Sequence, residues 1–429
     1  MRYESYKPSG VAWLGEIPEH WDSKYLGACF SERREKVSDK IFKALSVTKK
    51  GIVPQLETAA KSNAGDNRKK VLKGDFVING RSDRKGSSGI SYLDGSVSLI
   101  NIVLKPKELF LSKYTHYLLR SVPFQEEYYR NGKGIVADLW STNISEMRKI
   151  LLPIPPLEEQ ETIIRYLNFY EHKINKAIAT KKKLIATLSE QKQAIIAHAV
   201  TKGVDLHVKM KPSDISWLGE IPEHWDIRKI KYICKIKYGN SLEAKQRRNG
   251  DVPVYGSNGI VGIHNQAITK APCIIIGRKG SFGKINVSKK ACFPIDTAYY
   301  IDELNRKNYN FEWFVYILST IGLDEISRDT GVPGLNRDDV YSRKIPLPPL
   351  DEQKAIVEFI EQETASIDKA IELSKKEIEL LQEYKTRLIA DVVTGAVDVR
   401  KEAQNLPEIE EDSFVFESDE PLDLEELEA

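Results

Sequence analysis

The sequence predicts an α+β chain: two mixed α/β globular regions joined by two long antiparallel, coiled-coil-like helices, laid out as a pseudo-two-fold internal repeat. Three observations predict it. KPSGVAWLGEIPEHWD at 7–22 returns as KPSDISWLGEIPEHWD at 211–226, with 13 identities in 16. PIPPLEEQ at 153–160 returns as PLPPLDEQ at 346–353, and AVTKGVD at 199–205 is echoed by VVTGAVD at 392–398. Between those last two motifs, apolar residues recur at spacings of three and four in both copies.

The offset between copies is 204 for the opening motif and 193 for the other two. The segments between the later motifs therefore have equal length, and the difference falls in 23–152 against 227–345, which show little likeness. This divides the chain into a globular region over 1–152 with its opening motif at 7–22, a helix over 153–203, a second globular region over 204–345 with its motif at 211–226, a second helix over 346–400, and an acidic tail over 401–429.

Each helix has strong boundary signals. Prolines at 155–156 and 348–349 are followed by Glu158 and Glu159, or Asp351 and Glu352, in the first turn, where acid groups suit the helix dipole. Gly203 and Gly395 stop the last turns. The expected seam of the first helix runs through Ile163, Ile164, Leu167, Tyr170, Ile174, Ala177, Ile178, Leu184, Ile185, Leu188, Ile195 and Ala199. That of the second runs through Ile356, Val357, Ile360, Ile367, Ala370, Ile371, Ile378, Leu381, Tyr384, Leu388 and Val392. Lys181 and its equivalent Ser374 interrupt the seam, either to fix register or because the lysine snorkels to solvent. Each rod would be on the order of 65 Å long at ~1.5 Å per residue. A linker of about ten residues after the first rod places the second globular region at its far end, so the expected shape is a dumbbell.

Within the globular regions, β-branched and apolar runs such as DFVING (75–80), SLINIVL (98–104), APCIIIG (271–277) and AYYID (298–302) read as strands. Ser112–Ser121 and Phe311–Leu318 read as amphipathic helices. Around them lie polar, basic, glycine-rich loops: NGRSDRKGSSG (79–89), YRNGKG (129–134), VYGSNGIVG (254–262), GRKGSFGK (277–284) and SRDTGVPGLNR (327–337). Such residues supply phosphate contacts and base-edge hydrogen bonds.

Charge points the same way. The net charge of +2 hides a tail of twelve acidic residues and one lysine from Lys401 onward, leaving 63 basic against 50 acidic residues in 1–400. A basic body of net +13 suits a polyanion, while the tail is too acidic to fold alone and is expected to be disordered. Hydrophobic content of 41% allows ordinary cores, and no run of eighteen apolar residues suggests a membrane span. MRYESYKPSG lacks the apolar run of a secretory leader, and four scattered cysteines read as reduced thiols, so a cytoplasmic location is expected.

Catalytic signatures are missing. GRKGSFGKI fails as a phosphate loop because Lys284 precedes Ile285 and the glycines are misplaced. The paired prolines lack the Asp/Asn-Pro-Pro-Tyr/Phe setting of amino-group methylation. Asp226 with Glu243 and Lys245 resembles a nuclease set, but Asp22 has no matching partners. His20 and His224, and the tryptophans Trp13, Trp21, Trp217 and Trp225, read as structural anchors.

The doubled order of SWLGEIPEHW, PLPPLDEQ, a long helix and RLIADVVTGAVDVR resembles the specificity subunit of type I restriction-modification enzymes over nearly the whole chain apart from the tail. The resemblance implies that each globular region is a target-recognition domain reading one half of a split DNA sequence. It implies that the helices space these domains and dock two modification (methyltransferase) subunits, joined by restriction (translocase and endonuclease) subunits. S-adenosylmethionine, ATP and Mg²⁺ would belong to those partners, which carry adenine-N6 methylation and DNA cleavage, and none to this chain. The two domains look like different types, so the target would be asymmetric. Chosen for residue type and loop position, the DNA-contacting candidates are Asn79, Arg81, Arg84, Lys85, Arg130 and Lys133 in the first domain. In the second they are Tyr255, Ser257, Asn258, Arg278, Lys279, Arg328, Asn336 and Arg337. Two other readings are a coiled-coil scaffold, which would ignore DNA and salt, and a stand-alone DNA-modifying enzyme, which would turn over by itself.

Overall fold

The computed structural model describes residues 2–55, 65–81, 84–133, 141–205, 207–304, 308–325 and 334–407. They fall into two compact units. One comprises the chain up to Lys181 together with the segment from Lys376, and the other comprises Lys182–Lys375. Of the acidic segment, 408–429 lies outside the described residues. Its start does not, since a short helix at Arg400–Ala403 buries Ala403 in the first unit's core.

The repeated motif folds the same way twice. In the first unit Tyr6–Pro8 pairs antiparallel with Glu16–Pro18, and in the second Met210–Pro212 pairs with Glu220–Pro222. The strand after each hairpin then closes on the strand that leads into a long helix: Asp22–Tyr25 on Leu151–Ile154, and Asp226–Lys229 on Lys344–Leu347. The register is equivalent, with Asp22 opposite Ile154 and Asp226 opposite Leu347. Leu26 and Ile230 donate their backbone N–H to the carbonyls of Ile150 and Arg343, so each recognition region leaves and rejoins its mount at one point. Trp21, Ile17, Trp225 and Ile221 are fully buried. Each such side chain contributes on the order of 2–3 kcal/mol by leaving water.

The two long helices are Leu157–Lys202 and Leu350–Val393. In the first unit Lys181 pairs with Glu377, and Lys385 donates to Asn175 at 3.1 Å, so numbers rise on one segment as they fall on the other. In the second unit Lys192 pairs with Asp368, while the helix end at Gly203 lies against Trp225, whose neighbour His224 bonds Glu352 near the start of the other helix. Both pairings are antiparallel. The expected seam is right in its outline and drifts in detail. Tyr166, Ile196 and Val200 are buried, whereas Leu184 and Tyr384 are 42% and 50% exposed. A stripe counted at 3.5 residues per turn rotates by about 20° per heptad on a helix of 3.6. Lys181 keeps its stem at the seam and its charge on Glu377, while Ser374 is small enough to be buried.

The acid-glutamine pair after each proline pair holds the mounts. Glu159 accepts hydrogen bonds from Tyr3 Oη and His20 Nε2, both at 2.7 Å. Its equivalent Glu352 bonds His224 Nε2 at 2.6 Å and accepts from Trp225 Nε1 at 2.8 Å. The next residue, fully buried in both copies, turns inward. Gln160 accepts from the Leu111 N–H and donates to the Leu109 and Pro155 carbonyls, and Gln353 accepts from the Asn310 N–H and donates to the Pro348 carbonyl. These bonds anchor the starts of helices Ser112–Arg120 and Phe311–Thr320, both of which form where the sequence predicts them.

Above each mount sits a sheet backed by that helix. The first unit has a four-stranded sheet whose centre pairs Phe76–Asn79 with Asn101–Pro106, the second one whose centre pairs Cys273–Gly277 with Ala298–Ile301. A smaller three-stranded sheet accompanies each. All four cysteines are buried and unbridged, and among the described residues no helix is long and apolar enough to cross a membrane.

Two stability predictions follow from this packing. Gly395 has φ +81°, and a Cβ there would sit 2.4 Å from Pro18 Cδ and 3.0 Å from Trp21. Gly395→Ala should destabilise the first unit by about 3 kcal/mol or more, from left-handed strain plus the clash. Gly10→Ala, at φ +86° with open space around it, should cost only ~1 kcal/mol; thermal denaturation of both separates strain from clash. His116 is half-buried, packed among the groups around it with Nδ1 facing the Ile90 N–H at 3.3 Å and Nε2 facing Arg120 at 3.0 Å. Burial, with Arg120 and Lys113 nearby, holds its pKa well below the usual histidine value. The unfolded chain therefore takes up the proton first, and stability falls as pH drops below about 6.5, by up to ~1.4 kcal/mol per pH unit while the folded ring stays neutral. His116→Asn, which keeps an acceptor for Ile90, should flatten the melting temperature between pH 7 and 5 relative to the native chain.

Candidate nucleic-acid interface

In the first unit the buried strand Phe76–Asn79 runs out of the sheet into a basic turn. Thr142 donates its N–H to the Gly80 carbonyl at 3.0 Å, and Ser141 forms bridges to both Arg81 and Lys133. Helix Val122–Arg130 flanks the turn: the Gly86 N–H donates to Tyr129 Oη at 3.3 Å, and Lys85 lies 5.5 Å from the Tyr129 ring centroid. Arg81, Arg84, Lys85, Arg130 and Lys133 are thereby gathered from two loops and a helix end. Among the described residues Lys85 pairs with Glu126, Arg130 with Glu127 at 3.0 Å, and Lys133 with Glu146 at 3.0 Å. Hydrogen bonds from Lys133 and Lys149 hold Glu146 below the usual carboxylate range. Exposed pairs of this kind are weak and exchange readily for a phosphate. Asn79 is only 7% exposed and accepts from the Arg81 N–H at 3.1 Å, so it shapes the turn.

In the second unit the equivalent strand ends at Gly277, where a Cβ would meet the Ser281 carbonyl oxygen at 2.0 Å and that of Ser257 at 2.8 Å. Only glycine lets these loops converge. Arg278 is fixed on three sides: its N–H donates to the Thr297 carbonyl, its own carbonyl accepts from the Leu335 N–H, and Nη1 donates to the Asp296 carbonyl at 3.0 Å. Lys279 bridges Gly334, Lys284 Nζ donates to Asn258 at 3.1 Å, and the Ser257 hydroxyl lies beside Gly280. Asn336 caps the helix Arg337–Ser342 by accepting from the Asp338 N–H, which aims Arg337 back at the same loops. Tyr255, 7% exposed, packs in the small core with Cys273 and Cys292 and supports the hairpin from below. Arg328 lies outside the described residues.

Sequence reading missed the aromatic floor of both faces. Tyr129 lies under Lys85 in the first. Tyr238 lies between Arg278 and Arg337 in the second, at 5.2 and 4.9 Å from ring centroid to guanidinium carbon. A lone tyrosine in KYGN gives no local signal, because its cationic partners come from far downstream. Among the described residues no group of three or more His, Cys, Asp or Glu is placed to hold a metal ion.

Comparison with known proteins bears on the chain as a whole. The family model described as type I restriction modification DNA specificity domain matches residues 26–187 and again 222–383, about three quarters of the chain. Two Methanocaldococcus jannaschii proteins named as the MjaX and MjaVIII type I restriction enzyme specificity subunits are each 26% identical to this chain. They cover 90% and 66% of it, over 96% and 70% of their own lengths. A solved chain from a study of complex assembly and conformational transition of the type I R-M system aligns with a TM-score of 0.61 at 18% identity, over 89% of this chain and 99% of that one, a likeness of fold. The first matched segment begins at the end of its mount and the second within its mount hairpin, and each runs into the long helix behind it, so the doubled match is the doubled architecture, and the chain belongs to the family of type I restriction-modification DNA specificity proteins.

Proposed function

We propose that each unit reads one half of a two-part, asymmetric DNA target, while the long helices set the spacing of the halves and dock two modification subunits. The observation that carries this reading is the contrast between mounts and loops. The Glu–His clasp and the inward glutamine occur twice with matching partners, whereas the basic loops above them, carried on four-stranded sheets of equivalent strand order, show little likeness in sequence. A scaffold has no use for two dissimilar cationic faces on identical supports.

In this reading Arg81, Arg84, Lys85, Arg130 and Lys133 engage one half-site. Ser257, Asn258, Arg278, Lys279, Arg328 and Arg337 engage the other, with Asn79, Tyr255 and Asn336 shaping the backbone that presents them. Lysine contacts to phosphate supply affinity, and arginine and amide contacts to base edges supply sequence. The chain's own part is non-catalytic. Adenine-N6 methylation with S-adenosylmethionine, and ATP- and Mg²⁺-dependent cleavage, belong to the modification and restriction subunits it recruits in the cytoplasm.

The test is to select bound duplexes from a randomised pool with the full chain. The expected result is a split motif with unlike halves, with affinity falling by roughly a thousandfold or more between about 50 and 200 mM salt. Alanine at Arg81 and Lys133 should blur one half, and alanine at Lys279 and Lys284 should weaken binding through the other. Binding that selects no motif and ignores salt would return the chain to a scaffold.

A further inference from the structure

The second face holds an arrangement that affinity for phosphate alone does not require. Tyr238 ends the strand Lys237–Tyr238 and is 46% exposed. Two guanidinium groups share its ring, Arg278 at 5.2 Å and Arg337 at 4.9 Å, and each also touches a second tyrosine at 5.8 Å, Tyr299 for Arg278 and Tyr341 for Arg337. Among the described residues no carboxylate pairs with either arginine. The Nε of Arg337 is buried with no acceptor, so its guanidinium is kept at the ring instead of being moved into an ion pair.

Two like charges against one aromatic ring are stable only where their planes are held by stacking and their charge is answered by something else. Lys279, exposed, and Lys284, half-buried with its Nζ on Asn258, already supply positive charge beside the site. What the tyrosines add is a ring surface that holds two planar forks in place. Fixed planar donors are what bidentate recognition of guanine N7 and O6 needs, whereas phosphate is held by a point charge such as lysine as well as by an arginine fork.

Resting on the reading that this unit binds DNA, we propose that Tyr238 is a positioning residue that holds Arg278 and Arg337 as base readers, and that Arg337 determines a guanine in the second half-site. Arg337→Lys keeps the charge but loses the stacked fork. It should lower discrimination at one guanine by roughly tenfold or more, leaving the first half-site and the salt dependence of binding unchanged. Tyr238→Ala should do the same with an unchanged melting temperature, and Tyr238→Phe, which keeps the ring, should restore native discrimination.

Position-resolved selection from a randomised duplex pool with the full chain reads all three variants. The proposal is overturned if Arg337→Lys leaves every position as in the native chain, or if it weakens all sequences equally with a shallower salt slope, which would make Arg337 a phosphate contact. It is also overturned if Tyr238→Phe is as defective as Tyr238→Ala. A native chain that selects a motif separates these outcomes from failure of the DNA reading; one that selects none brings down both.

Discussion

Everything in this fold depends on how a helix end grips a mount. Each mount is held by the first turn of one long helix, through Glu159 on His20 or Glu352 on His224. It is held as well by the last turn of the other, through Gly395 against Trp21 or Gly203 against Trp225. The helix that follows a recognition region therefore starts at that region's own mount and ends at the mount of the other copy. Neither unit is complete within one copy of the sequence repeat, and the first borrows its second helical segment from the far end of the chain. This exchange explains why the helical segments have equal lengths while the recognition regions do not. A residue gained in a helix would turn its end away from a tryptophan, whereas a residue gained in a loop costs little.

The same constraint sets where variation is allowed. The mount strands, the buried glutamines and the helix ends satisfy one another's backbone groups, and a change at any of them leaves a buried polar group unpaired. The recognition regions are tied to the mounts mainly through backbone groups, by the bonds from Leu26 to Ile150 and from Ile230 to Arg343 and by those of Gln160 and Gln353 to the helix starts at Leu111 and Asn310, which leave their sequences free to differ. Each needs only a central pair of buried strands and a helix behind them. On that platform the first region builds a face of ion-paired lysines and arginines, and the second builds arginines stacked on tyrosine. The two faces are different chemical solutions to presenting positive charge and donors on a rigid base.

Much of this was legible in the residues. The repeat, the long helices with their proline starts and glycine stops, and the central strands at 75–80, 98–104, 271–277 and 298–302 are local patterns, and local patterns survive folding. Even the crossing of helix ends was implicit in the offset of 193 shared by two motifs. What was hidden is what depends on residues far apart in the chain. Glu159 reads only as an acid in a first turn until His20 and Tyr3 come to it. Tyr238 reads as one more strand residue until Arg278 and Arg337 arrive. The seam residues Tyr166, Ile196 and Val200 were missed because periodicity fixes a stripe but not its slow rotation. Asn79 and Tyr255 carried the right chemistry for DNA contact, but burial turns both to shaping the loops.

The central claim is that mounts are common and heads are interchangeable readers. It is tested most directly by replacing residues 26–150 with a second copy of residues 230–343, cutting both regions at the same register of the mount strands. The duplex sequences selected by the resulting chain are then determined. The account predicts a folded protein whose two half-sites are identical, both matching the half read by the native second unit. A folded protein that keeps two unlike half-sites, or binds DNA without any preference, would contradict it.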